Sequence, residues 1–477
     1  MLRNSLGGES FRCHLPRRKL TQCRERKNTR RTRLHPATMP SGVTVDRTTR
    51  KYLSRNRASL QRPLHAGDLA AIDQVVVIPA FAEQDFLFHT LASLSLSSPA
   101  DLERTLVLCV VNNRQPPHAG PGGIENNART LVKLAGLVGG NELTNDGGTL
   151  RLAYIDASSP GRELGPRMGV GAARRIGLDH ALAVLVENGA VDALLLSLDA
   201  DCRVESGYLT AVRRHFEWSQ AHAGVVAYAH RLEGSSREIA AIVSYELFLR
   251  YHASGLAWTH SPYAYPAIGS TMVCRKEAYV AVGGMNRRQA AEDFYFLQQL
   301  QKTGGVEVIT GTTVRPSARS SHRVPFGTGA TVRRLLVEGV STYAVYNPEV
   351  YPVLREWLII VGEGLNLAAG ELLSRADELF PGLRRHLDQR GFSGVWPRLQ
   401  QHSKTEEQLR SQFHRWFDGL ETLKLIHWLR DNGLPRQGLS NVLRRAVELW
   451  GLPCPDVDWQ LFDGDLETRI DVLKQLR

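Results

Sequence analysis

Hydrophobic positions between residues 71 and 200 alternate between short aliphatic or β-branched runs and longer segments of helical spacing. The runs at 75–78, 105–111, 150–155 and 193–198 predict buried strands, and the segments at 85–96 and 169–188 predict helices. Strands that alternate with helices are typical of a mainly parallel sheet with helices on both faces. We therefore expect an α/β domain over residues 63–330.

Beyond residue 331 only helical spacing remains. Apolar residues recur at intervals of three and four in the segments 332–346, 356–379, 406–432 and 440–450, and no strand pattern interrupts them. These segments predict a helical C-terminal region over residues 331–477. The chain has no run of 18 uninterrupted apolar residues, so a transmembrane segment is not expected.

Charge separates the first 62 residues from the rest of the chain. This segment holds 17 Lys and Arg against 3 Asp and Glu, whereas the remainder is nearly balanced. It predicts a basic, disordered tail; an over-extended gene start before Met39 and a contact with anionic lipid or nucleic acid are the alternatives. A nucleic-acid footprint across the body is not expected.

The six cysteines are far apart and form no Cys-x-x-Cys pair, so no structural zinc site is predicted. Sparse cysteine usage of this kind suits a reducing compartment. The prediction is therefore a cytoplasmic protein, with peripheral contact to the inner face of a membrane open through the basic tail.

Two carboxylates, Asp199 and Asp201, follow the apolar run 193–198. Ligands of α/β sheets bind beyond the carboxyl ends of the strands, and carboxylates are the oxygen ligands that Mg²⁺ and Mn²⁺ prefer. A cation held there would stabilise charge on a diphosphate leaving group. The pair alone is also compatible with an ordinary polar loop.

Two further groups lie downstream. Glu292 and Asp293 open a predicted helix, where a carboxylate serves either as a cap or as a general base. His322 precedes a glycine-containing loop and is either a metal ligand or an ordinary surface histidine. The aromatic residues between the two acidic motifs include Trp258, which could stack on an acceptor or pack in the core.

The order of these pieces resembles the family 2 glycosyltransferases of the GT-A fold. The matching segments are 76–83, 169–175, 197–201, Gly283-Gly284-Met285 and Glu292-Asp293, and together they span roughly residues 71–326. The resemblance implies a nucleotide-diphospho-sugar transferase fold and inversion at the anomeric carbon.

The resemblance also implies roles for single residues. Pro79, Ala80 and Glu83 match the segment that lines the base and ribose pocket, and Arg174 matches a basic element near the donor. Other matched positions are Asp199 as a ribose or diphosphate ligand, Asp201 and His322 as metal ligands for Mg²⁺ or Mn²⁺, and Asp293 as the catalytic base with Glu292 beside it.

The second strand departs from the family pattern. It ends in Asn112-Asn113-Arg114, where the family often has an acid that contacts the base, so Asn113 is expected to make that contact with altered preference. The predicted function is metal-dependent transfer of a sugar from a nucleoside-diphosphate donor to a hydroxyl acceptor, either a glycan, a lipid or a small molecule. A nucleotidyltransferase on a related sheet and a non-catalytic binding protein are the alternatives.

Overall fold

The computed structural model describes residues 31–32, 46–140, 143–145, 148–321, 327–453 and 457–477. The strands are β1 (Arg31–Thr32), β2 (Leu64–Ala66), β3 (Gln74–Ala80), β4 (Thr105–Asn112), β5 (Thr144–Asn145), β6 (Gly148–Thr149), β7 (Arg151–Ala157), β8 (Leu194–Ser197), β9 (Arg203–Val204), β10 (Ala223–Tyr228), β11 (Met272–Arg275), β12 (Val306–Arg315), β13 (Ala344–Val345) and β14 (Gln437–Gly438).

The α-helices are α1 (Arg47–Arg55), α2 (Gln84–Ser95), α3 (Pro99–Arg104), α4 (Pro121–Val138), α5 (Val170–Glu187), α6 (Tyr208–Trp218), α7 (Ser236–Trp258), α8 (Lys276–Ala281), α9 (Glu292–Gly304), α10 (Thr328–Glu338), α11 (Val350–Glu363), α12 (Ala369–Leu379), α13 (Leu383–Gln389), α14 (Phe392–His402), α15 (Glu406–Trp416), α16 (Gly419–Asp431), α17 (Leu439–Trp450), α18 (Trp459–Phe462) and α19 (Leu466–Leu476). Two 3₁₀ turns lie at Ser59–Gln61 and Val340–Thr342.

Ten strands form one sheet in the order β1-β2-β7-β4-β3-β8-β11-β10-β12-β9. The central strands β7, β4, β3 and β8 are parallel, as the pattern predicts. β11 is antiparallel to both β8 and β10, and β2 and β9 are antiparallel to their neighbours. The α/β class is therefore right, but the sheet is mixed rather than mainly parallel. The antiparallel strands β2, β9 and β11 are two to four residues long and have too few apolar positions to be predicted from the sequence.

Both faces of the sheet are covered. One apolar core packs α5, α8 and α9 on one face, and a second packs α2 and α6 on the other. The glycine at position 177 lets α5 approach the sheet closely, since a Cβ there would overlap the Val77 side chain. The central strands are buried on both faces, which explains why they read as continuous apolar runs.

A third core holds the C-terminal helices together and includes one face of α7. The predicted helix at 332–346 is wrong in its second half, because Gly339 ends α10 and Ala344–Val345 pairs with Gln437–Gly438. The predicted helices at 356–379 and 406–432 are each divided in two, at residues 364–368 and 417–418. No helix among the described residues combines the length and the apolar character needed to cross a bilayer.

The segment 46–62, assigned to the tail from its charge, is ordered. Asp46 caps α1 through the backbone N–H groups of Thr48 and Thr49, at 2.8 and 2.9 Å. Tyr52 and Leu53 are buried against the α/β core, and this apolar contact outweighs the basic composition of the helix. The rest of the predicted tail, apart from residues 31–32, lies outside the described residues.

Candidate functional site

The ends of three neighbouring strands meet at one cleft. β4, β3 and β8 are adjacent and parallel, so the residues that follow them, Asn113, Glu83 and Asp199, all line the same cavity of about 800 Å³. Pro79 and Asp201 line it as well. Ala80 is buried and does not line the cavity; its carbonyl accepts a hydrogen bond from Asn112 Nδ2 at 3.1 Å.

Arg174 links the two acidic motifs that the sequence separates by more than ninety residues. Its side chain is 3% exposed and forms ion pairs with Asp199 and with Glu292. Burial lowers the pKa of Arg174, but the surrounding carboxylates outweigh burial and raise it, so the guanidinium stays charged. Asp199 and Glu292 therefore lie together at one cleft, joined by Arg174.

Glycines allow this close approach. A Cβ at Gly171 would lie 2.6 Å from the Arg288 carbonyl oxygen, 2.8 Å from that of Asn286 and 2.9 Å from Glu292 Cβ. A Cβ at Gly269 would overlap the Arg174 guanidinium. The first turn of α5 thus packs directly on the segment that leads into α9.

Glu292 and Asp293 have different surroundings although they are adjacent. Glu292 is buried, and burial raises its pKa to about 7 while the Arg174 guanidinium opposes the shift. Asp293 is half-buried at the cleft, and its Oδ1 accepts a hydrogen bond from the Phe294 N–H at 2.8 Å. Burial also raises the pKa of Asp293. Asp293 is therefore the more exposed of the two acids at the cleft, whereas Glu292 is engaged in the ion pair with Arg174.

Arg319, a residue without a distinctive sequence pattern, joins Asp201 and Glu83. Its Nε donates to Asp201 Oδ2 at 2.9 Å, and its Nη2 forms an ion pair with Glu83. Its guanidinium lies 4.3 Å from the centre of the Phe86 ring. The only sequence signal was its position three residues before His322, which itself lies outside the described residues.

A second missed residue is Asn127 on α4. Its Nδ2 donates to the Asn113 side-chain oxygen at 2.9 Å and to the Asn112 carbonyl at 3.0 Å, while its Oδ1 accepts from the Ala82 N–H at 2.9 Å. Asn127 therefore ties the ends of β3 and β4 together. Asn113 keeps its place at the cleft, but part of its hydrogen-bonding capacity serves this tie.

The chemistry of Asp199 and Asp201 fits Mg²⁺ or Mn²⁺. The described residues hold no group of three or more His, Cys, Asp or Glu positioned around an ion. Mg²⁺, however, is commonly bound by one or two carboxylates together with substrate phosphates and water. The two aspartates are 37% and 19% exposed at the cleft, so both can reach an ion, in competition with Arg174 and Arg319.

Trp258 is not a residue of this cleft. Its ring lies 5.7 Å from the Trp450 ring, and the Arg355 guanidinium lies 4.4 Å from its centre. Because α7 turns this side chain toward the C-terminal helices, Trp258 packs between α7 and that region. Of the two roles considered for Trp258, core packing and stacking on an acceptor, these contacts support packing.

Comparison with known proteins gives a loose structural likeness. No protein-family model matches the chain, and no curated protein matches its sequence. Similar solved structures include residues 1–349 of TarS from S. aureus, at a TM-score of 0.36 and 14% identity over 72% of this chain and 92% of that one. The same TarS fragment in complex with UDP-GlcNAc has a TM-score of 0.36 and 11% identity, over 76% and 93%.

The mannosyltransferase PcManGT from Pyrobaculum calidifontis, in complex with GDP-Man and Mn²⁺, has a TM-score of 0.32 and 14% identity, over 78% of this chain and 95% of that one. These neighbours are glycosyltransferases. At such TM-scores and identities the likeness does not assign the chain to their family.

Proposed function

We propose that the chain is an inverting glycosyltransferase of the GT-A type, which moves a sugar from a nucleoside-diphosphate donor to a hydroxyl acceptor. One observation carries the proposal: Arg174 bridges the strand-end acid Asp199 and the helix-start acid Glu292 in one cleft. A cavity lined by these acids together with Asp201 and Asp293 suits a reaction that needs both charge stabilisation and a base.

On the acceptor side, Asp293 removes the proton from the acceptor hydroxyl as the oxygen attacks the anomeric carbon. Its raised pKa makes it a stronger base than an ordinary surface aspartate. Glu292 is engaged with Arg174 and acts by positioning that guanidinium. The nucleoside diphosphate departs from the opposite face of the sugar, which accounts for inversion.

On the donor side, Pro79, Glu83 and Asn113 line the part of the cleft assigned to the nucleoside. Asp199 and Asp201 would hold Mg²⁺ or Mn²⁺, which supplies charge neutralisation at the diphosphate when it is bound. His322 stays a proposed third ligand. Arg319 would exchange its carboxylate partners for a phosphate oxygen, since guanidinium groups pair with both.

Asp293→Asn tests the assignment of the base. Turnover is expected to fall by about 10³-fold, while binding of nucleoside diphosphate persists, because general base catalysis contributes in this range. Asp471→Asn, at an exposed position of α19, is the matched control and should be unchanged. The donor is found first by a thermal-shift screen of UDP-, GDP- and dTDP-sugars with and without Mn²⁺. Full transfer activity in Asp293→Asn would refute the role of Asp293.

A further inference from the structure

The cleft has two chemically different halves. The charged side chains that line it, including Glu83, Asp201, Asp293 and Arg319, lie on the side of the strand ends and the start of α9. The other half is formed by α7, the loop 263–268 and Leu423 of α16, and none of its described lining residues is an Asp, Glu, Lys or Arg. A nucleoside diphosphate is matched by the first half only.

One stripe of α7 forms the wall of this second half. Its members are spaced at intervals of three and four, as expected for one face of a helix. They are Tyr245, Phe248, Leu249, His252, Ala253 and Leu256. The stripe spans twelve residues, from Tyr245 to Leu256, or about 16 Å along the helix axis. On its other side α7 is fixed by Val243, Leu247 and Tyr251, which are fully buried in the C-terminal core.

Polar atoms in this half are used within the protein. The Tyr263 hydroxyl donates to the His414 carbonyl at 2.7 Å, and the Tyr346 hydroxyl is 2.9 Å from His427 Nε2. His252 Nδ1 lies 2.7 Å from a tyrosine hydroxyl of α11, and burial lowers the pKa of His252 to about 4, so the ring is neutral. The wall thus offers mainly ring faces and aliphatic groups, whereas a polyhydroxylated acceptor needs many hydrogen-bonding groups.

The stripe begins beside the proposed base. Tyr245 lines the same cavity as Asp293. Burial and then the Asp293 carboxylate raise the pKa of Tyr245 to about 12. From Tyr245 the stripe continues along α7 to Leu256, and none of its members is an Asp, Glu, Lys or Arg. An acceptor with its hydroxyl at Asp293 therefore has the remainder of its structure against this wall.

We propose that the acceptor hydroxyl belongs to a molecule with an apolar alkyl or aryl group, which lies along the α7 stripe during transfer. This inference rests on the proposed glycosyltransferase function, because it assigns the apolar half to the acceptor. Burial of each methylene contributes about 0.8 kcal/mol, which corresponds to about a fourfold change in affinity.

The experiment measures sugar transfer by the whole chain from the nucleotide sugar found in the thermal-shift screen. The acceptors are primary alcohols from ethanol to octanol, used below their aggregation limits. Benzyl and phenethyl alcohol form the aryl arm, and free glucose and glycerol form the polar arm. The apparent KM for the alcohol is expected to fall about fourfold per methylene until the wall is filled. The better of the alkyl and aryl arms identifies the source of the apolar group.

Two variants locate the effect. Ala253→Phe fills the stripe and should abolish the gain from longer chains, and Leu249→Ala should reduce it several-fold without adding bulk. Ala257→Phe is the matched control, since Ala257 is on the same helix, exposed and outside the cleft. Binding of the donor nucleotide checks that each variant is folded. If Ala253→Phe or Leu249→Ala fails this check, the other variant provides the test.

The outcomes distinguish failure of the apolar-acceptor proposal from failure of the proposed glycosyltransferase function. If the donor binds and glucose or glycerol is glycosylated with a lower KM than the alcohols, the apolar acceptor is refuted while the transferase function stands. A KM that is independent of chain length, or equally affected by Ala257→Phe, also refutes it. If no nucleotide sugar binds or is consumed, the proposed function itself fails.

Discussion

Replacement of Gly171 by Ala sets two physical effects against each other. Glycine has a lower helix propensity than alanine, by up to about 1 kcal/mol in a helix interior and less in a first turn, so propensity alone predicts a more stable protein. In the fold, however, the new Cβ would lie 2.6 Å from the Arg288 carbonyl oxygen and 2.8 Å from that of Asn286. These are backbone atoms, which cannot turn away as a side chain does.

The magnitude follows from these distances. Real Cβ contacts shorter than 3.0 Å are essentially absent, so the segment before α9 must move by at least about 0.4 Å. Overpacking of this kind costs about 1–3 kcal/mol, which exceeds the propensity gain. We therefore expect Gly171→Ala to be destabilised by about 1–2 kcal/mol. Since Asp293 follows the displaced segment, turnover should fall about tenfold while nucleotide binding changes little.

Urea denaturation and steady-state kinetics measure the two effects. Gly394→Ala in α14 is the matched control, because a Cβ there meets nothing within 4 Å. It should gain about 0.5 kcal/mol with unchanged turnover. If Gly171→Ala gained stability to the same extent and kept full turnover, the close packing of α5 on the catalytic segment would be refuted.

Two further perturbations probe charged side chains that are buried or partly buried. Glu246 is fully buried. Burial raises its pKa, but its hydrogen bonds and cationic partners outweigh burial and hold the pKa well below the usual value. Glu246→Gln should therefore lower the free energy of unfolding by about 3 kcal/mol at pH 7. A lowered folded-state pKa stabilises the fold only above the unfolded value of 4.5. The difference in unfolding free energy between the unmodified protein and Glu246→Gln should therefore shrink as the pH falls below 4.5. A difference that does not change with pH would contradict the assignment. Arg319→Gln removes the competitor of a cation at Asp201 and should tighten Mn²⁺ binding, measured by calorimetry, about five- to tenfold. Arg315→Gln, which removes an exposed pair with Glu205, is its control, and equal effects of the two changes would rule out competition.

The central sheet was predictable to within about two residues at each strand end. The runs at 75–78 and 105–111 appear as Gln74–Ala80 and Thr105–Asn112, because a strand buried on both faces must be apolar throughout. The short strand Met272–Arg275 was missed, since four residues provide too little periodicity to distinguish it from a loop. Its antiparallel pairing with both neighbours, like the antiparallel pairing of β2 and β9, makes the sheet mixed.

The candidate site was predictable where residues follow strands and less so elsewhere. Asp199 and Glu83 reach the cleft because parallel strands end at the same sheet edge. Arg319 and Asn127 contact the site only through tertiary packing, and neither has a distinctive local pattern. The charge of residues 46–62 suggested a tail, whereas the burial of Tyr52 against the core was not visible in composition.

The amino-acid sequence by itself determined the α/β alternation, the strand-end acids and the helical C-terminal region, because these depend on periodicities of two and 3.6 residues that are local properties of a chain. Tertiary structure decided which charges pair: Arg174 joins Asp199 to Glu292, and Arg319 joins Asp201 to Glu83. It also placed Trp258 against Trp450 of the C-terminal region, whereas Tyr245 and other residues of α7 line the cleft. Such contacts join residues far apart in the chain, and their energy depends on distance and burial in space rather than on sequence spacing.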